Sequence, residues 1–288
     1  MSSLSYDYET YDWIKPMPTA PIKIPTAENI ELELREGIAI IALNKPEIRN
    51  AVDDSMRNDL MAIIDWAEQD EGVRALIITG RGAAFCAGGD ISAMQERLAA
   101  PQGKIAINGW KRQRRTHHAI KAIHEASIPT IAAVNGPAAG LGADLALACD
   151  FVIASTNAFF IFSYLMRGLI PDGGGMYLLP RRVGLARAKE LIFSARRVNA
   201  DEARSMNMIE ALSQPEALIE DALLMARNMI NGSPDALALT KSIMDQTFEL
   251  SIEEVFALGC QAQAICYTTD AHQESVNEFL NRSKKSDG

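Results

Sequence analysis

The chain is poor in the residues that most often announce a chemistry. Its 288 residues include only four histidines and four cysteines. It contains no H-E-x-x-H pair, no G-x-S-x-G elbow and no Gly-Lys-Ser/Thr phosphate loop, and no Cys/His cluster has metal-ligand spacing. No metal site is therefore expected. The cysteines (Cys86, Cys149, Cys260 and Cys266) form no C-x-x-C pair, and in a chain this long they read as reduced thiols, which points to the cytoplasm. Positive charge is also in deficit. Lysine and arginine total 28 against 37 acids, a net charge of −9. An acidic surface repels phosphate backbones and anionic lipid, so neither nucleic acid nor membrane is an expected partner. No apolar run approaches the ~18 residues of a membrane span. The first residues (MSSLSYDYETYDWIKP) have no basic start and no apolar core, so no secretory signal is expected there.

What is present is ordinary globular composition, with 48% hydrophobic and 23% charged residues. At about 150 residues per domain the length fits two domains, or one with an appendage. Residues 1–27 stand apart. Tyr6, Tyr8, Tyr11 and Trp13 alternate with acids, and Pro16, Pro18, Pro21 and Pro25 follow. That proline density stops helices and central strands, so an extended or disordered arm is expected. Residues 28–212 alternate short strands with helices. Apolar runs at Ile38–Leu43, Arg74–Thr79, Thr130–Val134, Asp150–Ala154 and Ala158–Phe162 are continuous and not alternating, as in strands covered on both faces. Helices are predicted at Ser55–Glu68, whose apolar residues fall on one face, at 104–125 and at Ala186–Ala195. Residues 213–288 lose the strand signal and read as helices at Glu216–Met229, Pro234–Leu250, Ser251–Tyr267 and Glu274–Asn281. The class is α/β with a helical tail.

Two glycine-bearing loops carry the candidate chemistry. One is Ala84-Phe85-Cys86-Ala87-Gly88-Gly89-Asp90; the other runs from Asn135 through Gly140-Leu141-Gly142-Ala143-Asp144. Each follows a strand and enters a helix. Backbone N–H groups there point outward unpaired and can hold a developing oxyanion. The second loop carries Gly140-x-Gly142, but Leu145 takes the third glycine position of a dinucleotide fingerprint. Two carboxylates accompany the loops. Asp144 reads as a helix N-terminal charge or as an acid/base group. Asp172, in Pro171-Asp172-Gly173-Gly174-Gly175, reads as a turn residue or as a second acid/base group. His117, His118 and His124 share one predicted helix and read as solvated positions.

At these residues the chain resembles the crotonase superfamily, the enoyl-CoA hydratase/isomerase family. Leu43-Asn44-Lys45-Pro46 with Arg49-Asn50-Ala51, the loop Ala84–Ile91, Pro129–Gly136, Gly140–Asp144 and Gly168–Gly174 occur in the family's order. The resemblance implies a spiral of β-β-α turns with a C-terminal helical trimerisation segment, and a homotrimer or dimer of trimers. It implies an acyl-CoA thioester as substrate, with coenzyme A part of that substrate and no separate cofactor, in fatty acid metabolism. It implies oxyanion donors at the backbone N–H groups of Gly89 and Leu141. Asp144 and Asp172 become the catalytic candidates. Ala51, Ala87, Gly88, Asp90, Ile91 and Tyr164 become substrate-binding candidates, and Arg282, Lys284 and Lys285 are placed near CoA phosphates or in a solvated tail. The family's hydratases carry two glutamates. The first falls at Asp144, one methylene shorter, and the second at Tyr164, which is a poor base at neutral pH. Asp172 stands where dienoyl-CoA and some ring-enoyl-CoA isomerases carry an aspartate. The expected reaction is hydration or double-bond migration of an enoyl-CoA through a stabilised enolate. The readings left beside it are a dienoyl- or ring-enoyl-CoA isomerase using Asp172, and a non-catalytic CoA- or RNA-binding protein.

Overall fold

The structure is a computed structural model that describes residues 25–90, 95 and 99–286. Most of the expected arm and Ile91 lie outside the described residues, as do the side chains of Arg282, Lys284 and Lys285.

The main sheet has six strands: β1 (Ile30–Arg35), β2 (Ile38–Leu43), β3 (Ala75–Gly80), β4 (Thr130–Val134), β6 (Phe151–Ser155) and β9 (Ala211–Ser213). Its spatial order is β1-β2-β3-β4-β6-β9, with β1 antiparallel to β2 and every later pair parallel. A small second sheet joins β5 (Ala138–Ala139), β7 (Phe159–Ile161) and β8 (Val198–Asn199) in the order β5-β7-β8. Between the strands lie α1 (Asp54–Gln69), α2 (Gln102–His124), α3 (Leu141–Ala148), α4 (Gly175–Val183), α5 (Leu185–Ser194) and α6 (Ala200–Ser205). The chain ends in α7 (Leu218–Met229), α8 (Pro234–Met244), α9 (Ile252–Cys266) and α10 (Asp270–Ser286).

The continuous apolar strands have a simple cause: the main sheet separates two cores. Successive side chains of β2 point to opposite faces. Ala39, Ile41 and Leu43 join the larger core with α1, α3 and α4, whereas Ile38 and Ile40 join a second core under α7. Every residue of β2, β3 and β4 is buried. β1 keeps the alternation of an edge strand, with Ile30, Leu32 and Leu34 turned to the core. α1 buries the apolar face its sequence predicts, through Met56, Leu60, Ile63, Ile64 and Ala67. Burying each large aliphatic side chain contributes about 2 kcal/mol. The Asp53 carboxylate starts that helix by accepting the Met56 N–H at 2.8 Å.

The helical part divides in two. α7 places Leu218, Ala222, Leu223 and Ala226 on the second face of the sheet, so the helix that follows the expected break at 212–213 completes the core. α8 and α9 bury no side chain completely. α8 ends at Met244, short of the expected Leu250, and turns occupy 245–250. It is held by Lys241, whose Nζ donates to Asp150 Oδ1 at 2.5 Å and to the His124 carbonyl at 3.0 Å. A capping box at Ser251 and Glu254 opens α9. Among the described residues no helix is long and apolar enough to cross a membrane.

Candidate active site

The two glycine loops close on each other backbone to backbone. Cys86 and Ala138 form an isolated parallel bridge, in which the Cys86 N–H donates to Pro137 O at 3.1 Å and the Ala139 N–H to Cys86 O at 2.9 Å. Gly142 touches the same carbonyl: a Cβ there would stand 2.2 Å from Cys86 O, which no real side chain tolerates. Gly88 has φ +100°, and a Cβ on it would lie 2.7 Å from Ala139 O and 3.5 Å from the Leu141 nitrogen. Glycine is thus required at both contacts.

This closure aims two N–H groups. Leu141 is the first residue of α3, so its N–H has no partner within the helix. Gly89 bridges Val52 in parallel, through Val52 N–H to Gly88 O at 2.7 Å and Asp90 N–H to Val52 O at 3.2 Å. In parallel pairing the bridged residue's own N–H faces the other way. The loop from Lys45 to Val52 is braced from inside by Asn50. Its buried amide nitrogen donates to the carbonyls of Arg81 at 2.9 Å, Ala84 at 2.8 Å and Phe85 at 3.2 Å, and its Oδ1 accepts the Lys45 N–H at 2.9 Å. Arg49 and Asn50 both adopt left-handed backbone, which turns the chain back toward the loop, where the Ala87 N–H donates to Arg49 O at 2.9 Å. Of the expected binding positions, Ala51 and Gly88 are buried in this junction, Gly89 and Asp90 are partly buried and Ala87 is exposed.

The carboxylates differ sharply. Asp144, in the first turn of α3, has no exposed surface. Its Oδ2 accepts the Tyr164 hydroxyl at 2.5 Å, and its Oδ1 is buried without a hydrogen-bonding partner. Cβ atoms at Gly173 and Gly175 would stand 2.6 Å from Oδ2 and 2.5 Å from Oδ1, so only glycine leaves room for the carboxylate. Burial pushes the Asp144 pKa up to about 7, and the charge of Asp172 adds to the rise. The Tyr164 bond and the nearby Gly175 backbone N–H oppose it, although that N–H does not reach hydrogen-bonding geometry with Oδ1. Burial and the Asp144 charge together drive the Tyr164 hydroxyl far above its ordinary pKa. Asp172 keeps 23% of its side chain exposed, and its Oδ2 lies 4.0 Å from His117 Nε2.

Asp172, Gly173 and Gly174 form one wall of a cavity of about 710 Å³. The opposite wall comes from α2, through His117 and Ile120, and from the end of α8 and the turns beyond it, through Ser242 and Gln246. His117 and His124 are therefore cavity residues, which their surface-like sequence context did not suggest. Their seven-residue spacing on one helix face was the available signal. Among the described residues no group of three or more His, Cys, Asp or Glu side chains could hold a metal ion.

The Enoyl-CoA hydratase/isomerase family model matches residues 33–286. The chain belongs to this family. The Short-chain-enoyl-CoA hydratase of Clostridium acetobutylicum is 33% identical over 89% of this chain and 96% of its own length. The 1,2-epoxyphenylacetyl-CoA isomerase of Escherichia coli is 32% identical over 88% of this chain and 95% of its own. Among solved structures, an Enoyl-CoA hydratase/isomerase from Cupriavidus metallidurans superposes with a TM-score of 0.82 at 32% identity, covering 90% of this chain and 95% of that one. The fold is thus the crotonase α/β fold with C-terminal helices, and the chain is an enzyme of the hydratase/isomerase family.

Proposed function

We propose that this family member moves protons along the acyl chain of an enoyl-CoA thioester. In this reading the thioester oxygen lies between the N–H groups of Gly89 and Leu141. The observation that supports it is the closure of the two loops on each other, which leaves the Gly89 N–H on the side away from its Val52 bridge and the Leu141 N–H at the open start of α3. Negative charge that develops on the oxygen as the enolate forms is stabilised there, each donor contributing about 3 kcal/mol. The CoA portion runs past Ala51 and the loop from Ala87, and Asp144 and Asp172 serve the proton transfers.

The net reaction is hydration of a 2-enoyl-CoA or migration of its double bond. A specific observation favours migration. Asp172 is the carboxylate of this pair that reaches the cavity, whereas Asp144 is sealed and Tyr164 takes the place of a second acid. One carboxylate open to the acyl chain, with no second open acid beside it to activate a water, suits movement of the double bond better than addition of water. The exposed apolar faces of α8, α9 and α10 support a trimer or a dimer of trimers. A panel of 2-enoyl-, 3-enoyl- and dienoyl-CoA substrates, read by absorbance and product mass, tests the assignment. Turnover of at least one class is expected, falling by a factor on the order of a hundred or more in Asp172→Asn with CoA-thioester binding intact. Binding without turnover of any of these classes would contradict the proposed reaction.

A further inference from the structure

Asp144 presents a geometric problem for a catalytic carboxylate. It has no exposed surface, and Gly173 and Gly175 pack against its two oxygens. Oδ1 has no hydrogen-bonding partner, and the side-chain partner of Oδ2 is the Tyr164 hydroxyl at 2.5 Å. Whatever proton Asp144 gains or loses therefore passes through that phenol. Tyr164 is better placed. The residue as a whole is only partly buried. Its ring lies against Gly140, where a Cβ would be 3.8 Å from Cε2 and Cζ, immediately before the Leu141 N–H. Its hydroxyl would be 3.2 Å from a Cβ at Gly173, the neighbour of Asp172. The phenol stands where the oxyanion loop, the cavity wall and the sealed carboxylate meet.

We propose that Tyr164 is the catalytic residue that exchanges a proton with the substrate's Cα, and that Asp144, which does not touch the substrate, is the positioning residue that takes up the phenolic proton. This rests on the enolate reading of the site. Cα is one bond from the carbonyl carbon, so the group beside the Leu141 donor is the one within its reach. Asp172, which lines the cavity, is left to serve the more distant carbons. In the forward step the Cα–H bond breaks and its proton bonds to Tyr164 Oη. The phenolic proton crosses to Asp144 Oδ2, and the electron pair of the broken bond passes into the enolate. One negative charge moves from Asp144 to the thioester oxygen, and Tyr164 is neutral before and after. No phenolate forms, in keeping with the strongly raised pKa of that hydroxyl. The reverse step returns both protons.

Exchange of the α-hydrogens of butanoyl-CoA with deuterium oxide, followed by mass, tests the relay in the wild type, Tyr164→Phe, Asp144→Asn and the double variant. The relay predicts exchange at saturation reduced on the order of a hundredfold or more in each single variant, with the dissociation constant within about threefold. It predicts that the double variant is no slower than the singles, because the two residues act as one unit. The wild-type rate rises with pH around neutrality, and Asp144→Asn loses that rise. Exchange in Tyr164→Phe close to the wild-type rate would overturn the relay, and so would losses that multiply in the double variant. If Tyr164→Phe fails to fold with its buried acid unpartnered, the double variant is compared with Asp144→Asn alone: equal rates support the relay and a further drop refutes it. Wild-type protein that binds butanoyl-CoA without exchanging it would overturn the enolate reading and the relay together.

Discussion

At the residue scale the buried carboxylate sets a measurable cost. An ordinary aspartate ionises near 3.8, whereas Asp144 in the folded chain ionises near 7. Between those values the folded state binds more protons than the unfolded state, so stability falls as pH rises, by at most about 1.4 kcal/mol per pH unit from this group. Asp144→Asn should therefore resist urea better than wild type at pH 8, with the advantage gone below pH 4. Equal midpoints at pH 8 would mean that the carboxylate is not strained by burial. Gly173→Ala should act in the opposite sense. Its methyl would lie 2.6 Å from both Asp144 Oδ2 and Leu141 Cδ1, so activity should be lost with a stability cost of about 1–3 kcal/mol, read by denaturant midpoint and turnover. Both carboxylates were legible in the sequence as candidates because of their loops. Their pairing was not. The bond from Tyr164 to Asp144 spans 20 residues and exists only once β5, β7 and α3 are packed together. The bracing by Asn50 was equally hidden, since an asparagine after Arg49 reads as a turn residue until its amide meets three carbonyls.

At the element scale, the strands that read most plainly were those buried on both faces. Thr130–Val134 and Ile38–Leu43 keep their expected limits, because two cores demand continuous apolar runs. β5 and β8 span two residues each, too short to leave a pattern. The early end of α8 was not readable either, because apolar residues continue to Leu250 on what is an exposed surface. That helix depends on a polar anchor. Lys241 and Asp150 are 10% and 15% exposed in their side chains, and breaking so buried a pair typically costs about 3–5 kcal/mol. Lys241→Met should lower the denaturant midpoint accordingly and speed proteolysis near residues 230–234, where α7 gives way to α8. An unchanged midpoint and cleavage rate would show that α8 is held by other contacts. Gly142→Ala belongs at this scale too. It forces the two loops apart at Cys86 O, so it should lower the denaturant midpoint and remove turnover together.

At the scale of the whole molecule, the charge of −9 and the exposed apolar helices take on meaning together. In the proposed reading, an acidic enzyme for an anionic thioester binds it through local N–H groups and not through a generally positive face. Phe248 and Phe279 are 79% and 73% exposed in the single chain, more than an isolated surface normally leaves on large apolar residues. Light scattering should therefore give a mass of three or six times the 31.4 kDa chain, and a monomer at micromolar concentration would contradict the assembly. The proposed enolate chemistry is tested most directly by incubating the wild-type protein with a saturated acyl-CoA in deuterium oxide. An enolate held between the Gly89 and Leu141 N–H groups predicts deuterium at Cα and nowhere else on the acyl chain, whereas bound acyl-CoA that stays unlabelled would contradict it.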